Sequence, residues 1–338
     1  MDRLIDQLKA AGEPTRMRIL ALLREDDLSV GELVQILGQS QPRLSHHLKV
    51  LSTAGLVERL PEGAWVFYRL ASSADAVSLL APLFARIDAE PGDTQRDGAR
   101  LKAIRQARSS AAEAYFASVA GTWDTVRSLH YPNEAIEAAI MDLAGVAEGA
   151  APAFDRIIDL GTGTGRMLAI LAPHARQVEG LDLSHHMLNV ARANLEAAGI
   201  ANARVRHGDA AATPFETASA DLVILHQVLH FIDNPAAVLA EADRLLKPGG
   251  RLIVVDFAPH TLEFLRENHG HRRLGIRAET MADWVEPTAL ALSHPRRFDP
   301  PAGMAEGLSV QIWTADKPAG QTADASPNPT LKNKEAAA

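Results

Sequence analysis

The residues best able to do chemistry fall in the second half of the chain. Ile157-Ile158-Asp159-Leu160 reads as a buried strand running directly into Gly161-Thr162-Gly163-Thr164-Gly165, and Arg166 to Leu171 starts a helix. A glycine-rich turn between strand and helix lets backbone approach a ligand closely and aims helix N–H groups at it. The third glycine stands at Gly165, so the spacing is G-x-G-x-G and not the G-x-G-x-x-G of dinucleotide loops. Two later strand patterns end in carboxylates, Val178 to Leu181 in Asp182 and a third strand in His207-Gly208-Asp209-Ala210. His226 and His230 follow a fourth strand about one helical turn apart, and Asp256 ends a fifth. They are the candidate general bases, although a histidine among Leu229, Phe231 and Ile232 is more often a hydrogen-bonded core residue.

A second constellation lies near residue 45. Val30 to Leu37 has helical spacing and stops at Gly38, and Ser40 is a good N-cap for the next helix, with Pro42 tolerated in its first turn. Strand-like segments at 56–60 and 65–70 follow, with Pro61-Glu62-Gly63 between them as the turn. Helix, tight turn, helix and hairpin form the layout of a winged helix-turn-helix, whose second helix meets base edges with its N-terminal side chains. Those side chains are Ser40, Gln41, Arg43, Ser45, His46 and His47, with Lys49 a little further along. Gln and Arg can pair bidentately with bases while Ser and Lys hold phosphates, and Arg59 and Arg69 on the wing are placed for backbone contact. The plainer alternative is a small helical domain with a solvated face.

These sites need elements to position them, and 338 residues suffice for two domains with separate cores. The hydrophobic share of 47% and charged share of 22% are ordinary for a globular protein. No apolar run of about 18 residues appears, and Met1-Asp2-Arg3-Leu4 opens no apolar signal segment, so the expectation is a cytoplasmic protein without membrane association. Cysteine is absent, which excludes disulfides, thiolate metal sites and cysteine nucleophiles. His185-His186 and His269-Gly270-His271 lack carboxylate or cysteine partners at useful spacing, so no metal site is expected. The net charge of −8 argues against general attraction to nucleic acid, yet residues 40–70 carry Arg43, Lys49, Arg59 and Arg69 against Glu58 and Glu62. The pattern divides the chain into a DNA-binding unit at 1–90, a helical connector and lid at 91–150 beginning at Pro91-Gly92-Asp93, alternating strands and helices at 151–316, and a disordered tail at 317–338.

Pro14 to Leu20, Gln39 to Leu51 and Ala54-Gly55-Leu56-Val57 closely resemble the ArsR/SmtB family of winged-helix repressors, over residues 1 to about 90. The resemblance implies a homodimer on a palindromic double-stranded DNA operator, with the first helix and the 74–89 helix at the dimer interface. It does not extend to metal sensing, because Leu28-Ser29-Val30-Gly31-Glu32-Leu33 stands where arsenic sensors carry cysteines and the 74–89 helix has no histidine.

From about Tyr115 to Thr314, the glycine loop after Asp159, then Asp182, Asp209, the strand Ala220 to His226 and Leu246-Lys247-Pro248-Gly249-Gly250 resemble, in that order, class I S-adenosylmethionine methyltransferases. The likeness is closest to those of ubiquinone and menaquinone biosynthesis. It implies an α/β, Rossmann-like, doubly wound and mostly parallel sheet binding S-adenosylmethionine. Asp182 would accept the ribose hydroxyls and Asp209 would lie beside the adenine amino group, with further contacts from Tyr115, Asp159, Gly161, Thr162, Gly163 and Gly165, and from Leu183, Met187, Ala210 and His226. Tyr115-Phe116 and Thr122-Trp123-Asp124 look like a lead-in helix and lid, although core packing explains Trp123 as well. No Asn-Pro-Pro-Tyr-type motif follows the fourth strand, which disfavours amide or nucleic-acid N-methylation, and arsenite methylation would need cysteines. The expectation is a DNA-binding regulator joined to a methyltransferase acting on a small molecule. The alternatives are a non-catalytic sensor of the cofactor or its demethylated product that controls operator binding, and an enzyme with a vestigial DNA domain.

Overall fold

A computed structural model of the chain describes residues 2–62, 65–71, 73–89, 92–119, 133–146, 153–300 and 307–319. The first part packs α1 (Asp2–Ala11), α2 (Pro14–Leu23), α3 (Val30–Leu37) and α4 (Gln41–Thr53) beside a sheet of β1 (Leu28–Ser29), β2 (Val57–Glu62) and β3 (Trp65–Leu70) in the order β1-β3-β2. A capping box starts α3: Glu32 N–H donates to Ser29 Oγ at 3.3 Å and the Glu32 carboxylate accepts from Ser29 N–H at 2.8 Å. Gly38, at φ 65°, ends the helix and turns the chain into α4. Ile19, Leu20, Leu33, Ile36, Leu44 and Leu48 are fully buried and fix the helix pair against α2. The hairpin differs from expectation in that Pro61 and Glu62 continue β2, paired with Val66 and Trp65. Proline is tolerated there because β2 is an edge strand.

After α5 (Ala74–Ala89), the long α6 (Gly92–Val119) begins as part of this first domain. Its Leu101 is fully buried in the winged-helix core. Its Asp97 accepts two bonds of 2.6 Å from the Arg18 guanidinium, and Arg100 donates to the Ile36 carbonyl at 2.7 Å. A segment whose composition reads as a connector is thus tied to α2 and α3, the helices packed against α4.

The second part comprises α7 (Asn133–Ala144), β4 (Phe154–Leu160), α8 (Arg166–Leu171), β5 (Ala175–Asp182), α9 (His185–Ala197), β6 (Ala203–His207), β7 (Ala220–His226), α10 (Pro235–Leu245) and β8 (Leu246–Phe257). It continues with α11 (Phe264–His269), α12 (Ala278–Val285), β9 (Ala291–Leu292), β10 (Arg296–Phe298) and β11 (Val310–Asp316). The sheet order is β10-β11-β8-β7-β4-β5-β6, with β9 also paired to β11. Strands β4 to β8 are parallel, and β11 returns antiparallel along β8. Alternation feeds two cores: Ile158, Leu160, Val223, Leu225, Leu252 and Val254 point to one face, Ile157, Leu222, Ile224, Ile253 and Val255 to the other. The sheet is therefore covered on both sides, and its order reverses at β4, where ligands of such folds enter at the carboxyl ends of the strands. Strand β8 runs unbroken from Leu246, longer than the 251–257 segment expected, because Leu246 already pairs with Ala220 before a bulge. Among the described residues no helix is long and apolar enough to cross a membrane. Residues 320–338 of the tail lie outside the described residues.

The Arg18–Asp97 pair generates a stability prediction. The Asp97 side chain is only 2% exposed, so Arg18→Ala strands a buried carboxylate and should cost about 3 kcal/mol. Urea denaturation should show the Arg18→Ala/Asp97→Ala double variant recovering part of that loss, and additive losses would contradict the coupling.

Candidate functional site

The glycine loop leaves the end of β4 with Gly161 at φ 80°, a left-handed backbone that favours glycine. A Cβ there would come within 2.9 Å of Val228 Cβ and nearer still to its methyl. The bare backbone of Gly161 therefore packs directly on the segment that follows β7. Gly161 and Thr162 N–H groups both donate to the Leu181 carbonyl, at 2.7 and 3.0 Å, which stitches the loop to the end of β5.

Asp182 completes that stitch. Its Oδ2 accepts from Gly163 N–H at 2.8 Å and its Oδ1 from Ser184 N–H at 2.8 Å. Burial pushes the Asp182 carboxyl up from the ordinary range, while the Ser184 and Gly163 N–H bonds and the nearby His207 oppose the rise. Next to it Leu183 is 51% exposed. Asp209, at the end of β6, is exposed and accepts from Ala211 N–H at 2.9 Å.

A cavity of about 1090 Å³ opens over these strand ends. Asp159, Gly161, Thr162 and Gly163 line it from the loop, Asp182, Leu183 and Met187 from β5 and α9, Asp209 and Ala210 from β6, and His226 from β7. Gly165 lies outside the lining and caps α8. The Tyr115 and Phe116 side chains and the whole of 120–132, including Trp123, lie outside the described residues.

The two expected bases separate. His226 lines the cavity. His230 does not: it is 1% exposed, its Nδ1 is 2.8 Å from Asp256 Oδ1, and its N–H donates to Asp256 Oδ2 at 3.2 Å. The expectation of His230 as a base in direct reach of a ligand is corrected, because the 3₁₀ turn Leu229–Phe231 rotates it into the core against a fully buried Asp256. Its ring packs 4.3 Å from that of His271, which does line the cavity. Sequence reasoning also missed Gln227, Val228 and Phe231 on the same wall.

On the DNA side, Ser40, Gln41, Arg43, Ser45, His46 and Lys49 are exposed on α4, and Arg59 is exposed on the wing. Two residues need correction. His47 is buried with its Nδ1 3.5 Å from the Glu13 carboxylate, and burial lowers its pKa. Arg69 is buried between Asp27 and Asp283, with a 3.1 Å bond to each, so its charge serves the junction of the two domains and not a phosphate.

That junction has a second anchor. The Asp26 side chain, 1% exposed, accepts from Arg105 Nε of α6 at 3.3 Å and from Arg272 Nη2, beyond β8, at 3.3 Å. Arg277 donates to the Pro61 carbonyl at 3.2 Å, and the Arg266 guanidinium lies 5.4 Å from the Phe67 ring centroid. As a result Arg24, Glu32 and Phe67 of the winged helix and Lys102 and Gln106 of α6 line the cavity that the glycine loop lines.

Residues 13–59 match the family described as "Bacterial regulatory protein, arsR family" and residues 158–254 the family described as "Methyltransferase domain". The chain carries an ArsR-family helix-turn-helix domain followed by a methyltransferase domain. Among relatives, a demethylmenaquinone methyltransferase of Clavibacter sepedonicus is 36% identical over 115 residues, which is 34% of this chain and 46% of that protein. Another of Thermus thermophilus is 41% identical over 107 residues, 31% of this chain and 48% of that protein. An uncharacterized methyltransferase of Bacillus subtilis, YcgJ, is 28% identical over 136 residues, 38% of this chain and 53% of that protein. The chain spans about half the length of these relatives. The crystal structure of the Bacillus YcgJ protein has a TM-score of 0.46 at 19% identity, covering 54% of this chain and 98% of that one.

Behind the cavity His260 yields a pH prediction. Its Nδ1 accepts from Leu262 N–H at 3.3 Å, and burial, followed by the nearby His230, holds its pKa at about 4 against the usual 6.5. Between those values the unfolded chain takes up a proton that the folded chain refuses, so stability falls as pH drops through that window. Urea midpoints of wild type should fall from pH 7 to pH 4.5 more steeply than those of His260→Phe. Parallel slopes would contradict the assignment.

Proposed function

We propose that the protein is a cytoplasmic, dimeric DNA-binding regulator whose second domain binds S-adenosylmethionine and methylates a small molecule. The observation that carries this reading is the cavity at the sheet's reversal point, where the Gly163 N–H of the glycine loop meets the half-buried Asp182 carboxylate on the neighbouring strand. These residues fit the cofactor. Asp182 retains lone pairs for ribose hydroxyls, the 161–163 backbone permits close approach, and exposed Leu183 offers an apolar face to the adenine whose edge Asp209 meets. Bound there, S-adenosylmethionine supplies an electrophilic methyl group. The cavity volume exceeds the usual upper bound of about 1,000 Å³ for single-ligand pockets, which leaves room for an acceptor beside the cofactor. His226 is the candidate base for an acceptor that must lose a proton. The names of the Clavibacter and Thermus relatives favour a quinol-type acceptor.

DNA binding is assigned to exposed Gln41 and Arg43 with phosphate support from Ser40, Lys49 and Arg59. Apolar Leu4, Ile5 and Leu8 of α1 and Val77 of α5, all at least 42% exposed, support a homodimer through those helices. A sensor role is favoured by one observation: the winged helix lines the cofactor's cavity. If occupancy alters operator affinity, DNA must alter ligand affinity by the same factor.

Calorimetry with S-adenosylhomocysteine should detect one site per chain in wild type, weakened at least tenfold by Asp182→Ala. Absent binding, or an unaffected variant, overturns the cofactor assignment. Arg43→Ala should weaken binding to DNA from upstream of the coding region by about 1–3 kcal/mol in fluorescence anisotropy. Unchanged affinity would remove α4 from the DNA interface.

A further inference from the structure

One residue on the cavity wall carries several unfavourable features at once. Gln227 adopts φ 57°, a left-handed backbone that side-chain-bearing residues rarely take, while its N–H donates to the Val255 carbonyl at 2.8 Å. It is 6% exposed, and both its Oε1 and Nε2 are buried without a hydrogen-bond partner among the described residues. Strained backbone and an unsatisfied amide persist where function needs them. The position supports a ligand role: Gln227 lines the cavity, and its neighbour Val228 is the residue on which the Gly161 backbone packs. Gln227 thus shares a cavity wall with the residue that meets the cofactor loop.

The helix-turn-helix domain also lines this cavity. Phe67, on β3, is 7% exposed and lines the cavity, with the Arg266 guanidinium over its ring. Phe231 and Val228 face the same space from the methyltransferase domain. Aromatic and branched apolar walls suit a flat ring system. An uncharged amide that both donates and accepts suits a hydroxyl or carbonyl on that ring, and burying it unpaired penalises ligands that lack one.

Resting on the methyltransferase reading above, we infer that Gln227 and Phe67 form an acceptor compartment for a planar hydroxylated aromatic, a phenol or quinol, with the winged helix as one of its walls. Gln227 is the polar anchor that orients the hydroxyl, and Phe67 makes the DNA-binding domain part of the substrate site. An acceptor held there touches both domains at once, whereas the cofactor residues Asp182 and Asp209 belong to the second domain alone.

The test uses the full chain saturated with S-adenosylhomocysteine and the fluorescent phenol 2-naphthol as probe. Wild type should bind one naphthol. Gln227→Leu, which keeps the volume but not the hydrogen bonds, and Phe67→Ala, in the other domain, should each weaken naphthol about tenfold and leave S-adenosylhomocysteine affinity unchanged. The compartment is overturned if wild type binds no naphthol, if either variant binds it as wild type does, or if either variant loses the nucleoside in parallel. Failure of the cofactor reading is separable, because wild type would then bind no S-adenosylhomocysteine, and naphthol titrated into the unliganded chain still reports on Gln227 and Phe67.

Discussion

The Asp26 carboxylate, buried where the two domains meet, is the constraint on which the shared cavity depends. A carboxylate removed from water is costly unless it is paired, and here the pairs come from two directions, Arg105 on α6 and Arg272 on the methyltransferase domain. Asp27, the next residue, repeats the arrangement through Arg69 to Asp283. Such buried networks add little net stability compared with apolar packing, but they are demanding in geometry. Neighbouring acids in the α2–β1 turn thus set the register between the helix-turn-helix unit and the loop and helix beyond β8, more than 200 residues away in sequence. Because of that register, Phe67 and Glu32 reach a cavity whose floor is the glycine loop.

The floor follows from sheet topology. Reversal of strand order at β4 leaves a crevice above the ends of β4, β5 and β7. Gly161 fills it with backbone alone, and Asp182 closes it by accepting from Gly163 N–H. The same carboxylate therefore holds the loop in shape and faces the ligand space. Its raised pKa has the same origin, since the burial that makes it a selective acceptor also disfavours its charge.

Much of this was legible in the sequence, for physical reasons. Strands β4, β7 and β8 carry the apolar runs Ile157-Ile158, Leu222 to Leu225 and Leu252 to Val255 because both faces of the sheet are covered, and glycine supplies the positive φ at Gly161, Gly163 and Gly165. The helix-turn-helix announced itself through the helical spacing of Val30 to Leu37, the stop at Gly38 and the N-cap Ser40. What local pattern could not carry was partnership across the chain. Arg69 looked like a wing cation because nothing near it reveals Asp283. His230 looked like a base because its spacing from His226 assumes a regular helix, whereas a short 3₁₀ turn swings it toward Asp256. Leu101 and Ile104 are isolated apolar residues in a polar stretch, too weak a signal to place α6 in the first domain's core. Gln227 was passed over since its backbone strain and unpaired amide exist only in three dimensions.

Hydrogen–deuterium exchange of the full chain with and without saturating S-adenosylhomocysteine tests most directly whether the helix-turn-helix and methyltransferase domains share one ligand space. Slowed exchange is predicted in the 159–165 loop and the 181–187 segment, and also in α6 around Leu101 to Gln106, where the first domain meets the cavity. Protection that spares the loop, or stops at the methyltransferase domain without reaching α6, would contradict it.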